Sequence, residues 1–153
     1  MSSDTEPHHL EILNKDLALA LGDAVWDFAR IEWLVYECLG WLSVDQIDQL
    51  VGDLPFRSRT AILTRIVDRR EADSRRKQRV QTAIEKAEKL SEKRNIIVHN
   101  PWRIWIDLDA KEFMTEIQRY SNRGKKVDLT ELRQFTETAA NVELELRESL
   151  RAL

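Results

Sequence analysis

Three polar side chains crowd the end of a helical run in SEKRNIIVHNPW, residues 91–102: Arg94, Asn95 and His99. Asn95 and His99 are four apart and share one side of a helix. Arg94 points elsewhere, but its side chain is long enough to bend round a helix end. An imidazole moves protons near neutral pH. A guanidinium offers planar donors to phosphate oxygens, and an amide can orient either group. Together they suit phosphodiester cleavage without a metal, and the chain offers no cage of His, Cys and carboxylates for one. The competing outcome is a polar helix end, with His99 only capping the last turn.

The elements that position these residues follow from periodicity. Residues 10–42 keep a helical repeat with no internal proline. A short turn of helix is expected at 44–51, opened by Ser43 and closed by Gly52. Asp53 is read as an N-cap with Pro55 just inside a helix that runs to about Arg70. Ala72-Asp73-Ser74 marks a turn, and a long helix continues to about Val98 before Pro101 stops it. WRIWIDL (102–108) and EFMTEIQ (112–118) alternate apolar and polar residues about DAK, the pattern of a β-hairpin. SNRGKK is a polar loop. Asp128 followed by Glu131 resembles a capping box, and the helix it opens lines up Leu132, Phe135, Ala139, Val142, Leu146 and Leu150. The expected architecture is mainly α: a four-to-five-helix bundle with a small β-hairpin (102–118) before the last helix. It forms one domain over 1–153, with residues 1–9 flexible.

Two charges intrude on apolar stripes. Glu32 lies among Leu17, Leu21, Ala24, Phe28, Ile31, Val35, Leu39 and Leu42 on the first helix. Arg94 lies among Val80, Ala83, Ala87, Leu90 and Ile97 on the fourth helix. A charge in such a stripe needs a partner, so Glu32 and Arg94 are expected to meet, unless a phosphate claims the arginine. Leu19, Trp26, Ala29, Trp33 and Tyr36 form a second apolar face on the first helix, to be covered either by the hairpin or by a second copy.

Composition narrows the classes. Apolar residues make up 42% and charged residues 33% of 153, with four Gly and three Pro, which excludes a disordered chain. No apolar run is long enough to span a membrane, and no secretory signal is visible. Cys38, the single cysteine, permits no internal disulfide and reads as a core residue of a cytoplasmic protein. His8-His9 reads as an incidental exposed pair. A net charge of −3 speaks against general polyanion binding, although Arg75, Arg76 and Lys77 in the basic stretch 65–79 are candidates for RNA contact.

Arg94-Asn95-Ile96-Ile97-Val98-His99 resembles the R-x4-H signature of the HEPN superfamily, with a polar residue after the arginine. FARIEWLVYECL, PFRSRTAIL and RNIIVHNPW followed by a hairpin look like one bacterial HEPN-like group, a resemblance that spans most of the chain. It implies a helical bundle that dimerises so that two motifs make one composite site. It also implies a metal-independent endoribonuclease with no cofactor, in a defence or toxin–antitoxin setting with a cognate antitoxin or partner protein. His99 would act as general base or acid, Arg94 would stabilise charge on the scissile phosphate, and Asn95 would orient the site with Glu32 in support. One toxin branch carries a modifiable Tyr two residues after the His. Pro101 stands there in this chain, so that route of regulation is not implied. Two further readings stand beside it. One is a non-catalytic HEPN-like dimer that binds a protein, nucleotide or RNA. The other is a DNA-binding regulator using 65–79, for which no recognition helix is identifiable.

Overall fold

The computed structural model describes residues 6–119, 121–122 and 124–153. Among these residues five helices, α1 (Glu6–Leu42), α2 (Ile47–Val51), α3 (Phe56–Arg69), α4 (Ser74–His99) and α5 (Leu129–Arg151), enclose one core. A small antiparallel sheet, β1 (Trp102–Asp107), β2 (Glu112–Gln118) and β3 (Lys126–Asp128), in the order β1-β2-β3, precedes α5. The fold is mainly α, with the sheet inserted before the last helix.

α1 is the hub: it packs most extensively on α5 and also meets α3, α4 and α2. Its expected core stripe is buried at Leu17, Ala24, Phe28, Ile31, Val35 and Leu39, with Leu21 and Leu42 at the half-buried margins. Phe28 sits at the centre, edge-on to Phe56 of α3 at 5.4 Å and tilted against Phe135 of α5 at 6.3 Å. Cys38 is buried in this core. Burial pushes its thiol up to about 12, the neighbouring Glu37 charge adding to the shift and Arg147 opposing it, so the sulfur stays protonated at neutral pH.

Local chemistry sets the boundaries. α1 begins at Glu6, four residues earlier than its periodicity indicated, so residues 6–9 of the terminus expected to be flexible are helical. Residues 1–5, and the His8 side chain, lie outside what is described; His9 is exposed. α3 is capped differently from expectation. Pro55 itself holds the cap position, with ψ at 150°, and Asp53 makes no cap. The proline carbonyl accepts from the amides of Ser58 (2.9 Å) and Arg59 (3.2 Å), so the helix begins one residue after the ring. Asp73 caps α4 by accepting from the Arg76 amide at 2.9 Å. At the far end, Asn100 is extended because Pro101 follows it, and its Nδ2 donates to the Ile96 carbonyl at 2.8 Å.

The expected hairpin is present with Trp102 opposite Ile117 and Asp107 opposite Glu112. The Asp107 carboxylate closes its turn by accepting from the amides of Asp109 and Ala110. The part of SNRGKK–VD read as loop contains a third strand, Lys126–Asp128, paired to β2. Its only apolar residue, Val127, is buried with Ile117 against the bundle, which leaves too short an alternation to read from sequence. The sheet leaves the second face of α1 uncovered: Leu19, Trp26 and Trp33 are 67, 70 and 60% exposed. Of the two covers expected for that face, the hairpin is ruled out.

Candidate functional site

Arg94 and Glu32 meet as their intrusion on two apolar stripes requires. Arg94 Nη2 donates to Glu32 Oε1 at 2.5 Å, and the guanidinium carbon lies 5.0 Å from the centroid of the Phe28 ring. The pair is not sealed off, since the Arg94 and Glu32 side chains are 22 and 26% exposed. Glu32 also faces a second guanidinium, with Arg59 Nη2 at 3.6 Å. Arg94 Nη1 donates to Asn95 Oδ1 at 3.0 Å. The arginine therefore holds the acid with one nitrogen and turns the neighbouring amide with the other. With Oδ1 engaged, the donor end of Asn95 is the part left for a ligand.

His99 lies apart from that cluster. It is exposed in the last turn of α4 and makes no hydrogen bond or ion pair with another described residue. Its ring lines an open cleft of about 870 Å³, between the last turns of α4 on one side and the β2–β3 connection with the start of α5 on the other. Asn95 lines the same wall one turn earlier. Five cationic side chains, Lys89, Lys93, Arg119, Lys125 and Lys126, border this cleft, against two acids, Glu92 and Glu131. Lys93 is partly engaged with Glu131 (3.7 Å) and Lys126 with Glu116 (3.1 Å). Lys89, Arg119 and Lys125 form no ion pair among the described residues, so the cleft keeps an excess of positive charge. Beyond Lys126 the charge continues onto the sheet, where Lys126 and Arg103 lie 5.6 and 6.0 Å from the Trp105 ring centroid.

Arg94 opens instead onto a neighbouring groove of about 490 Å³ shared with Glu32, Arg57 and Arg59. Asn95 and Glu92 border both spaces. The motif is thus divided by the helix: imidazole on one side, guanidinium on the other, and the Asn95 amide on the ridge between.

No family model, curated protein or solved structure matches this chain. The site stands on its own geometry. Of the residues expected from sequence, Arg94, Asn95 and Glu32 are in direct contact and His99 adjoins them through the Asn95 wall. Arg75, Arg76 and Lys77 are not brought to this site. They begin the 26-residue α4, whose two ends are roughly 40 Å apart. Arg76 is held by Asp73 at 3.0 Å, and Lys77 donates to the Asp68 carbonyl at 2.7 Å. Among the described residues no group of three or more His, Cys, Asp or Glu is placed to hold a metal.

Sequence reasoning missed the cations that surround His99. Lys89 and Lys93 were legible, since with Ile96 and Asn100 they follow helical spacing along one flank of α4. Arg119 and Lys125 were not, because only the fold-back of β2 onto β3 places them opposite that flank. Arg59 was legible in part: it falls three residues after Phe56, beside the buried stripe of α3.

Proposed function

We propose that the chain is a HEPN-like, metal-independent endoribonuclease acting as a homodimer with a composite Arg94/His99 site, in a defence or toxin–antitoxin type module. The observation that carries this reading is His99, exposed and without a protein partner among the described residues, in a cleft with surplus positive charge. Lysines and arginines there would hold the phosphates on either side of the scissile bond, and Trp105 with Arg103 beside Lys126 supplies an aromatic surface of the kind on which bases stack.

In this reading the His99 imidazole takes the proton from a ribose 2′-OH, and the 2′ oxygen attacks the adjacent phosphorus. The bond to the 5′ oxygen breaks, and that oxygen leaves with a proton from an imidazolium. The products are a 2′,3′-cyclic phosphate and a 5′-OH. Arg94 offsets charge on the phosphate and, through Asn95, directs an amide N–H at it. Glu32 fixes the guanidinium.

A second reading is favoured by one observation: Arg94 is already engaged by Glu32, as a purely structural pair would be. There the protein is a non-catalytic HEPN-like dimer that binds RNA, a nucleotide or a protein partner. The two readings separate in one assay on single-stranded RNA in EDTA. The ribonuclease cleaves it, leaves cyclic phosphate ends, and loses activity in both His99→Ala and Arg94→Ala while each variant keeps its helical circular dichroism. RNA that stays intact with the wild-type protein rejects catalysis, and binding of the uncleaved strand then decides for the second reading.

A further inference from the structure

The outward side of α1 carries a repeat that the bundle does not use. Leu19, Trp26 and Trp33 recur every seven residues, and each is followed three residues later by Gly22, Ala29 and Tyr36. That is the a/d spacing of a two-helix seam. The large members are among the most exposed apolar side chains of the molecule, and the Trp33 and Tyr36 rings support each other at 5.6 Å. Gly22 is the decisive member. It lies inside a 37-residue helix, where glycine weakens the helix relative to alanine. A Cβ added to it would meet nothing within 4 Å, so no neighbour in its own chain requires the missing side chain.

We infer that this stripe is the seam of a homodimer in which two copies of α1 pack antiparallel, centred between Asp27 and Phe28. In that register Trp33 enters the notch at the partner's Gly22, Trp26 lies on the partner's Ala29, and Leu19 on the partner's Tyr36. Each layer occurs twice, and the two tryptophan layers set large against small. A parallel arrangement would set Trp26 on the partner's Trp26 and leave a void between two Gly22 notches. The charges agree with the antiparallel choice. Asp23, which forms no ion pair or hydrogen bond among the described residues, comes beside the partner's Arg30 on the edge of the seam. Arg30 is half exposed and holds its own acids loosely, at 3.6 Å to Asp27 and 3.4 Å to Glu143.

The indoles supply about half of the area that a stable dimer needs. Four indoles meeting there would bury on the order of 600 Å², and stable interfaces begin near about 1,200 Å². Ile12, exposed and seven residues before Leu19, continues the stripe through the first turns of α1 and extends the seam at both ends. The two-fold axis runs across α1, so the Glu32 flank of both copies, and with it both Arg94 grooves, face one side of the dimer. The inference does not rest on the ribonuclease reading, because its test reads mass and not cleavage.

Sedimentation of the full chain at micromolar concentration should give a dimer. Gly22→Leu should give a folded monomer that keeps its helical circular dichroism, because the added side chain has open space in its own chain and blocks only the notch that the partner's Trp33 would enter. Trp33→Ala should weaken the dimer at least tenfold. For the register, copies carrying Trp26→Cys, mixed with copies carrying Ala29→Cys, should cross-link to each other on oxidation. A wild-type monomer, a dimer indifferent to Gly22→Leu, or Trp26→Cys copies that cross-link only to themselves would each overturn the proposal.

Discussion

Glu32 governs the charge balance of the site because it serves two arginines at once, Arg94 at 2.5 Å and Arg59 at 3.6 Å. The consequence is an asymmetry between the two partners of the expected pair. Arg94→Ala leaves Glu32 with Arg59, so the loss should stay near 1 kcal/mol, as for a partly exposed pair. Glu32→Ala leaves the Arg94 and Arg59 guanidinium groups without the acid they share, so the loss should approach about 3 kcal/mol. Urea unfolding of the two variants checks this, and equal midpoints would show that Arg59 plays no part. Glu32 and Arg94 were legible because each breaks an apolar stripe whose period is set by its own helix. Glu143 also falls at the edge of the α5 stripe, between Ala139 and Leu146, but its partners were not legible: it is 3% exposed and held by Arg147 and by Arg30, which lies 113 residues away in the chain and outside any stripe. A stripe shows that a charge needs a partner, and it points to that partner only where a second stripe carries the opposite charge.

Among the elements, the junction of β3 and α5 is the tightest coupling between sheet and bundle. Asp128 ends the strand and caps the helix: its carboxylate accepts from the Glu131 amide at 2.7 Å, while Glu131 accepts from the Asp128 amide at 3.0 Å. With no loop between them, the strand that carries Lys126 to the His99 cleft is fixed by the start of α5. Asp128→Ala should cost about 1 kcal/mol, and it should speed amide exchange in residues 126–131 more than in α1. Uniform acceleration across the molecule would mean that the cap serves only the helix. This capping box was readable as a pattern of two residues at fixed spacing. The strand before it was not, since three residues with one buried side chain carry no period. The displaced cap at Pro55 marks the same limit, because Asp53 and Pro55 both offer a helix start and only the packing of Phe56 on Phe28 chooses between them.

At the scale of the whole molecule, a chain of net charge −3 presents a local excess of positive charge around His99. Binding of single-stranded RNA there should fall with salt. With about three phosphates neutralised, the slope of log affinity against log salt should be roughly −2. Lys125→Ala should flatten it by about 0.7, whereas Arg76→Ala, at the other end of α4, should leave it unchanged. An equal effect of the two substitutions would move the binding surface away from the cleft. The same large-scale order has a consequence during synthesis. The helix that covers most of α1 is α5, the last element of the chain. At ribosomal rates, on the order of ten seconds separate the emergence of the two. Over that interval α3 and α4 can already pack on the nascent α1, but the side of Phe28 that meets Phe135 of α5 stays bare and Trp26 and Trp33 are bare on the other side, so α1 is the segment for which a chaperone holding apolar helices has the longest opportunity.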